Sequence, residues 1–87
     1  MANHPQAKKR NRQRIKRTLR NRHIRTTLRT SIKNVRALVG EGDAAGAKEA
    51  LGTAVRYLDT AVTKGVLHKS TSARTISRLT VAVNNIS

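Results

Sequence analysis

The segment RHIRTTLRTSIKNVRALV, residues 22–39, carries two periodic patterns on one predicted helix. At about 100° per residue its aliphatic side chains fall within a stripe roughly 120° wide, which predicts one buried face. They are Ile24, Leu28, Ile32, Val35, Leu38 and Val39. Its basic side chains fall within about 80° of one another beside that stripe. This cationic ridge consists of Arg22, Arg25, Arg29, Lys33 and Arg36, and it predicts an anionic partner outside the domain.

Upstream of the ridge, the basic pattern surrounds the helix axis. The first 36 residues contain thirteen Lys and Arg and no Asp or Glu. Across residues 8–20 the charges point in every direction, and Ile15 and Leu19 project nearly opposite to Ile24. Such a segment has no face to bury against protein, so it is either surrounded by polyanion or disordered until one arrives. We expect the core-facing part of the helix to begin near His23.

The composition describes a small, strongly cationic chain. Its 87 residues form one domain at most, with 19 basic and four acidic residues and a net charge of +15. The apolar residues are mainly small or aliphatic, with one Tyr and no Phe or Trp, so the core is expected to be thin.

Without Cys, a disulfide framework and a thiolate metal site are excluded. No apolar run is long enough for a membrane span or signal peptide. The Arg-rich start also resembles a mitochondrial transit peptide, but it continues into a core-like segment.

Two glycine-containing turn segments divide the chain into three predicted helices. In Gly40-Glu41-Gly42-Asp43, Gly40 suits the left-handed position after a helix and Asp43 suits the next N-cap. The second divider is Lys64-Gly65. Pro5 stops any earlier helix. The candidate caps of the third helix are Ser70, Thr71 and Ser72.

The second and third segments also have one apolar stripe each. The second stripe is formed by Ala47, Ala50, Leu51, Ala54, Val55, Leu58, Ala61 and Val62. The third is formed by Ala73, Ile76, Leu79, Val83 and Ile86. Three stripes joined by short turns predict an all-α three-helix bundle, with a long, strongly basic first helix that extends beyond it. Nothing in the pattern explains Gly46 and Gly52.

The sequence offers almost nothing to catalysis. It has four dispersed carboxylates, three distant His and neither paired acids nor a phosphate-cradling glycine loop. We therefore expect no enzyme, no cofactor, no small-molecule substrate and no metal site. His23 is interpreted as a boundary residue between core and ridge, and His68 as a polar contact near the start of the third helix.

Nucleic acid is the anionic partner that this charge pattern favours. Helix faces that only contact solvent normally carry both positive and negative residues. Arg outnumbers Lys by 12 to 7, and the Arg guanidinium suits paired contacts to phosphate oxygens. Tyr57, the one aromatic residue, projects at the rim of the second stripe, so contact through phosphates and shape is expected rather than base stacking. A membrane-active helix is disfavoured because the polar faces lack large apolar partners.

Several short motifs resemble the bacterial small-subunit ribosomal protein S20 family along the whole chain. They include Met1-Ala2-Asn3, Ala7-Lys8-Lys9-Arg10, Ile32-Lys33 with Val35, Gly42-Asp43, Leu58-Asp59, Ala73-Arg74, Arg78-Leu79 and, most specific, Lys64-Gly65-Val66-Leu67-His68-Lys69. Two positions depart from the family pattern, Ser70 for the common Asn and Ile76 for a frequent Lys. We expect Ile76 to turn to the core. The resemblance implies a cytoplasmic ribosomal protein, monomeric within the particle, that binds 16S ribosomal RNA and helps its assembly.

The charge pattern and the resemblance together predict one RNA-binding domain, a basic extension at 1–22 and a bundle at 23–87. The predicted RNA contacts are Lys8, Lys9, Arg10, Arg12, Arg14, Lys16, Arg17, Arg22, Arg25, Arg29, Lys33, Arg36, Lys64, His68, Lys69, Arg74 and Arg78. A DNA-binding or nucleoid architectural protein is the alternative, but neither a recognition helix nor a dimer seam is apparent.

Overall fold

The chain forms three α-helices in a computed structural model that describes residues 5–86. They are α1 (Pro5–Glu41), α2 (Ala44–Thr63) and α3 (Lys69–Ile86). No strand occurs within this described range. Short connections make successive helices antiparallel, and α1 packs more extensively against α2 than against α3. The predicted all-α three-helix bundle with a long first helix is confirmed.

Helix α1 is much longer than the bundle it belongs to. Its 37 residues span about 55 Å at 1.5 Å per residue, and the whole molecule extends over 62 Å. Residues 6–20 are all exposed, and burial begins at Asn21 and Ile24. The helix starts at Pro5, a favoured first position because proline's missing N–H would have no partner there.

The core consists of two small clusters that share Ile32. The first is built on Val35, Ala47, Ala54, Leu79 and Val83, and the second on Leu28, Leu58 and Ala61. Ile76 packs against the second cluster, which confirms its expected turn towards the core. The four side chains that α2 and α3 contribute to the first cluster are Ala47, Ala54, Leu79 and Val83. Because none of them has an aromatic ring, the helices approach closely and the core stays thin.

The α1–α2 turn is a Schellman motif centred on a different glycine from the predicted one. Gly42 has φ +75° and donates its N–H to the Val39 carbonyl at 3.0 Å, while Asp43 donates to the Leu38 carbonyl at 3.0 Å. This is the paired bonding that closes a helix after a left-handed residue. The prediction for Gly40 is wrong, because α1 continues through Gly40 to Glu41.

The α2–α3 turn repeats the same arrangement around Gly65, as predicted. Gly65 has φ +75° and donates to the Val62 carbonyl at 3.0 Å. Val66 donates to the Ala61 carbonyl at 2.9 Å and packs its side chain on the second core cluster. The apolar contact that accompanies a Schellman turn therefore anchors the chain between α2 and α3.

Asp43 caps the start of α2, and that cap explains Gly46. The Asp43 carboxylate accepts a hydrogen bond from the Gly46 N–H at 3.0 Å, which confirms the predicted N-cap. A Cβ on residue 46 would collide with the Asp43 carboxylate, so a side chain there would displace the cap. Gly52 has open space around it, and nothing in the structure explains it.

His68, rather than a hydroxyl residue, caps α3. Its Nδ1 accepts from the Ser70 N–H at 3.1 Å, and its carbonyl accepts from the Ser72 N–H at 3.1 Å. The expectation of a polar contact by His68 at this point is confirmed. The predicted caps Ser70, Thr71 and Ser72 are wrong, because the helix already begins at Lys69.

The inner face of α3 differs from its predicted stripe at one position. Ser72 is 4% exposed, whereas Ala73 is exposed. Ser72 lies on the line through Leu79 and Val83 at the centre of the buried face, and Ala73 lies about 100° away. The centre of the face therefore takes a small hydroxyl residue, and the prediction for Ala73 is wrong.

The two glycines of the first turn should respond oppositely to alanine. Gly40→Ala should raise the free energy of unfolding by about 0.5–1 kcal/mol, because Gly40 is helical and no atom lies within 4 Å of an added Cβ. Gly42→Ala should lower it by about 1–2 kcal/mol, because residue 42 needs a positive φ. Urea denaturation followed by circular dichroism measures both. Stabilisation by Gly42→Ala would contradict the turn assignment.

Candidate nucleic-acid interface

The N-terminal half of α1 presents its predicted contacts to solvent on all sides. Every side chain from residue 6 to residue 20 is exposed. That range contains Lys8, Lys9, Arg10, Arg12, Arg14, Lys16 and Arg17. Because no acidic residue lies in α1 before Glu41, nothing on this helix offsets their charge, and the segment is a continuous cationic rod.

Arg20, the last residue of this rod, contacts the C-terminal end of α2. Its guanidinium donates hydrogen bonds to the Asn21 side chain at 3.2 Å and to the Lys64 carbonyl at 3.4 Å. The second acceptor belongs to Lys64, the C-cap of α2, where carbonyls lack helical partners. Sequence reasoning left Arg20 out of the predicted site. Its helix position gave no sign of a partner 44 residues away.

The cationic ridge borders an open groove between α1 and α3. The groove has a volume of about 580 Å³ and is lined by four ridge residues, Arg25, Arg29, Lys33 and Arg36. Leu28 and Ile32 form its apolar floor, and Thr75 faces them from α3. All five ridge side chains are exposed, so the four guanidinium and ammonium groups along the groove can reach a ligand together.

The predicted contacts of the second turn lie close to Arg20, where the rod joins the bundle; we call this point the root of the rod. Lys64, His68 and Lys69 are exposed, and the Arg20 bond to the Lys64 carbonyl places this turn beside residue 20 of α1. The structure therefore brings together two regions that are more than forty residues apart in sequence. One anionic ligand can span both.

Lys69 lies on a different flank from the ridge. It lines the groove between α2 and α3 together with Asp59, whereas the ridge lines the groove between α1 and α3. A carboxylate in the same groove lowers the local positive potential. Of the turn residues, Lys69 is therefore less well placed for a phosphate.

Arg74 and Arg78 are both exposed on α3. Thr75 is the α3 residue that lines the ridge groove, and Arg78, three residues later, lies about 60° from it around the helix axis. Arg74 lies about 100° from Thr75 and points further from that groove. The structure thus joins Arg78 to the ridge more closely than Arg74.

His23 and Tyr57 meet in a neutral groove on the opposite flank of α1. The groove between α1 and α2 is lined by His23, Tyr57, Thr53 and a row of α1 residues. Tyr57 is 38% exposed there, as its predicted rim position requires. The interpretation of His23 as a boundary between core and ridge is wrong, because its side chain lines the groove away from the ridge.

The row of α1 residues in this neutral groove is rich in hydroxyl groups that are already bonded. Thr26, Thr30 and Ser31 each donate to the carbonyl four residues earlier, at 2.9–3.1 Å. Their hydroxyl protons are used within the helix, so the three side chains offer a ligand acceptor lone pairs and, at Thr26 and Thr30, a methyl group. Such a surface does not attract phosphate.

The acidic residues collect at the other side of the molecule. Glu49 and Asp59 are exposed on the outer face of α2, where Lys48 and Arg56 mix with them. Glu41 and Asp43 lie at the turn before that helix. The bundle is therefore electrically two-sided, with the cationic surface on α1 and on the exposed parts of α3.

Other kinds of site find little support. Within residues 5–86, no group of three or more His, Asp or Glu side chains could hold a metal ion. None of the three helices, over the part described, is long and apolar enough to cross a membrane.

An acid-free cationic helix carried on a small helical bundle is typical of basic proteins that bind polyanions. The chain belongs to the ribosomal protein S20 family, whose sequence model matches residues 2–84. It is 57% identical to small ribosomal subunit protein bS20 of Geotalea uraniireducens over 86 residues, 99% of both chains. The same protein of Geotalea daltonii is 55% identical over all of both chains, and that of Syntrophotalea carbinolica is 52% identical over 99% of both. The resemblance seen in the sequence is confirmed, and so is the prediction that the chain is not an enzyme.

Amide exchange should divide the free protein at the root of the rod. We expect slow exchange in residues 44–63, which pack on both core clusters, and fast exchange in residues 6–19, where every side chain is exposed. Hydrogen exchange read by mass spectrometry on the protein without nucleic acid measures both regions. Equal protection of residues 8–18 and of α2 would contradict the absence of tertiary support for the rod.

Proposed function

We propose that this chain is a structural constituent of the small ribosomal subunit that binds 16S ribosomal RNA directly through phosphate contacts and stabilises its fold. The observation that carries the proposal is the acid-free cationic α1 in a member of the S20 family. The chain acts in the cytoplasm, in the ribosome, as one copy per particle and without a small-molecule substrate.

In this mechanism α1 lies in a crevice between RNA segments whose phosphates would otherwise repel one another. The rod, with cations on every side, contacts RNA in several directions, whereas the ridge contacts it in one. The split supports the proposed division into a basic extension at 1–22 and a bundle at 23–87, because residues 6–20 bury nothing. RNA thereby neutralises the charge that destabilises α1.

The turn before α3 supplies the second contact through its side chains. Lys64, His68 and Lys69 lie beside the root of the rod. On α3, Arg78 projects about 60° from Thr75, which lines the ridge groove. The backbone amides of this turn contribute less, because His68 already accepts from the N–H groups of Ser70 and Ser72. We assign the strongest contacts to the rod and ridge, and weaker ones to Lys69 and Arg74.

The outer face of α2 stays in solvent in the bound state. Glu49 and Asp59 are exposed there, and each carboxylate would be repelled by RNA phosphates. This orientation makes Lys48 and Arg56 matched controls for the ridge, since they carry the same charge on the same bundle but face away from the proposed RNA.

Removing two ridge charges should weaken binding and change its salt dependence. For the wild-type chain and 16S ribosomal RNA, about eight neutralised phosphates predict a log–log salt slope on the order of −6 to −7. Arg25→Ala with Arg29→Ala should make that slope shallower by about 1.5 and lower the affinity on the order of tenfold or more at about 0.1 M salt. Filter binding over a salt series measures both quantities.

The control pair Lys48→Ala with Arg56→Ala should leave slope and affinity close to the wild type. A wild-type slope near −1, or equal losses in both double variants, would contradict the phosphate mechanism. Duplex DNA of matched length distinguishes an architectural DNA-binding protein, which would bind DNA at least as tightly as structured RNA.

A further inference from the structure

Two aliphatic side chains stand exposed on the cationic rod. Ile15 is 51% exposed and Leu19 is 57% exposed, and neither belongs to a core cluster. Since they are four residues apart on α1, they lie together on one face of the helix. We call them the aliphatic pair. Within residues 6–20 they are the two apolar side chains larger than Ala.

Cations flank the aliphatic pair on both sides. Projected at about 100° per residue, Arg12 and Lys16 lie on one side of the pair, and Arg22 and then Arg14 on the other. All four are exposed. Over residues 12–22 the helix therefore presents an apolar strip between cations on its two sides, while Lys8 projects onto the same line about two turns before Ile15.

We propose that the aliphatic pair packs into the shallow minor groove of an RNA double helix, while the flanking cations contact phosphates of its two strands. This inference rests on the proposed binding of ribosomal RNA. The minor groove of A-form RNA is wide, shallow and lined by riboses, so it offers uncharged surface between two phosphate backbones. The deep, narrow major groove does not admit an α-helix, and aliphatic side chains do not stack on bases as aromatic ones do.

Charge argues against a second copy of this chain as the occupant. Any partner must cover the strip while it neutralises the cations around it. The acidic residues of the chain are Glu41, Asp43, Glu49 and Asp59. None of them borders an exposed apolar surface that could cover the aliphatic pair of another copy. RNA supplies both the anionic flanks and the uncharged centre.

Alanine at both positions tests the inference without unfolding the rod, because Ala favours helix more than Ile or Leu does. Ile15→Ala with Leu19→Ala should lower the affinity for 16S ribosomal RNA roughly ten- to a hundredfold, through loss of buried apolar area. The salt slope should stay at the wild-type value, since no phosphate contact is removed. Circular dichroism should show unchanged helix content.

Gln13→Ala with Thr18→Ala is the matched control, since both residues are uncharged and exposed on the same stretch of α1. It should bind like the wild type. Equal affinity of the aliphatic-pair variant and the wild type would overturn this inference alone and leave the proposed function intact. Failure of the wild type to bind RNA in a salt-dependent manner would overturn both.

The absence of Cys allows a direct test of the groove. Asn11→Cys, one turn before Ile15, can carry an iron–EDTA group that releases hydroxyl radicals beside the aliphatic pair. Binding in a minor groove should cleave riboses on both strands of one duplex, with the two cleaved patches displaced towards their 3′ sides. Ala45→Cys, exposed on the outer face of α2, should give much weaker cleavage. Cleavage confined to unpaired loops or to one strand would overturn the inference.

Discussion

Repulsion among the cations of α1 is the constraint on which the other features depend. Along the ridge, Arg25, Arg29 and Lys33 follow one another at four-residue intervals, and each such pair disfavours the isolated helix by about 0.2–0.5 kcal/mol. From Ile24 onward, packing on both core clusters offsets this repulsion. Over residues 6–20 it has no such support, since every side chain there is exposed. The C-terminal half of α1 is therefore stabilised by packing within the domain, whereas the charge of its N-terminal half can be neutralised only by an external anion.

The turns determine where that unsupported half leaves the bundle. Schellman motifs at Gly42 and Gly65 reverse the chain twice within a few residues, so α3 returns beside α1. Arg20 then joins the root of the rod to the Lys64 carbonyl. This bond uses one cation of α1 as an intramolecular contact to an unpaired helix end. As a result, the rod and the second turn form one surface, although every side chain of residues 6–20 is exposed.

The sequence predicts elements well and contacts poorly, for identifiable physical reasons. Helical periodicity recovers the buried faces of α1 and α2, because burial of aliphatic side chains decides them. It fails at Gly40, since either glycine of Gly40-Glu41-Gly42 could take the positive φ and only the bonds from Gly42 and Asp43 decide between them.

The start of α3 fails for a different reason. His68 caps it through Nδ1, a role that general preferences assign to hydroxyl and carboxylate residues. Contacts between distant segments are beyond periodicity altogether, as the Arg20 bond and the groove shared by His23 and Tyr57 show. The distribution of exposed cations could be predicted in advance, because charge with no acid to pair with stays at the surface. What the fold adds is their grouping. It places four ridge residues along one groove with an apolar floor and sets Lys69 apart beside Asp59, so equal charges in the sequence become unequal binding positions.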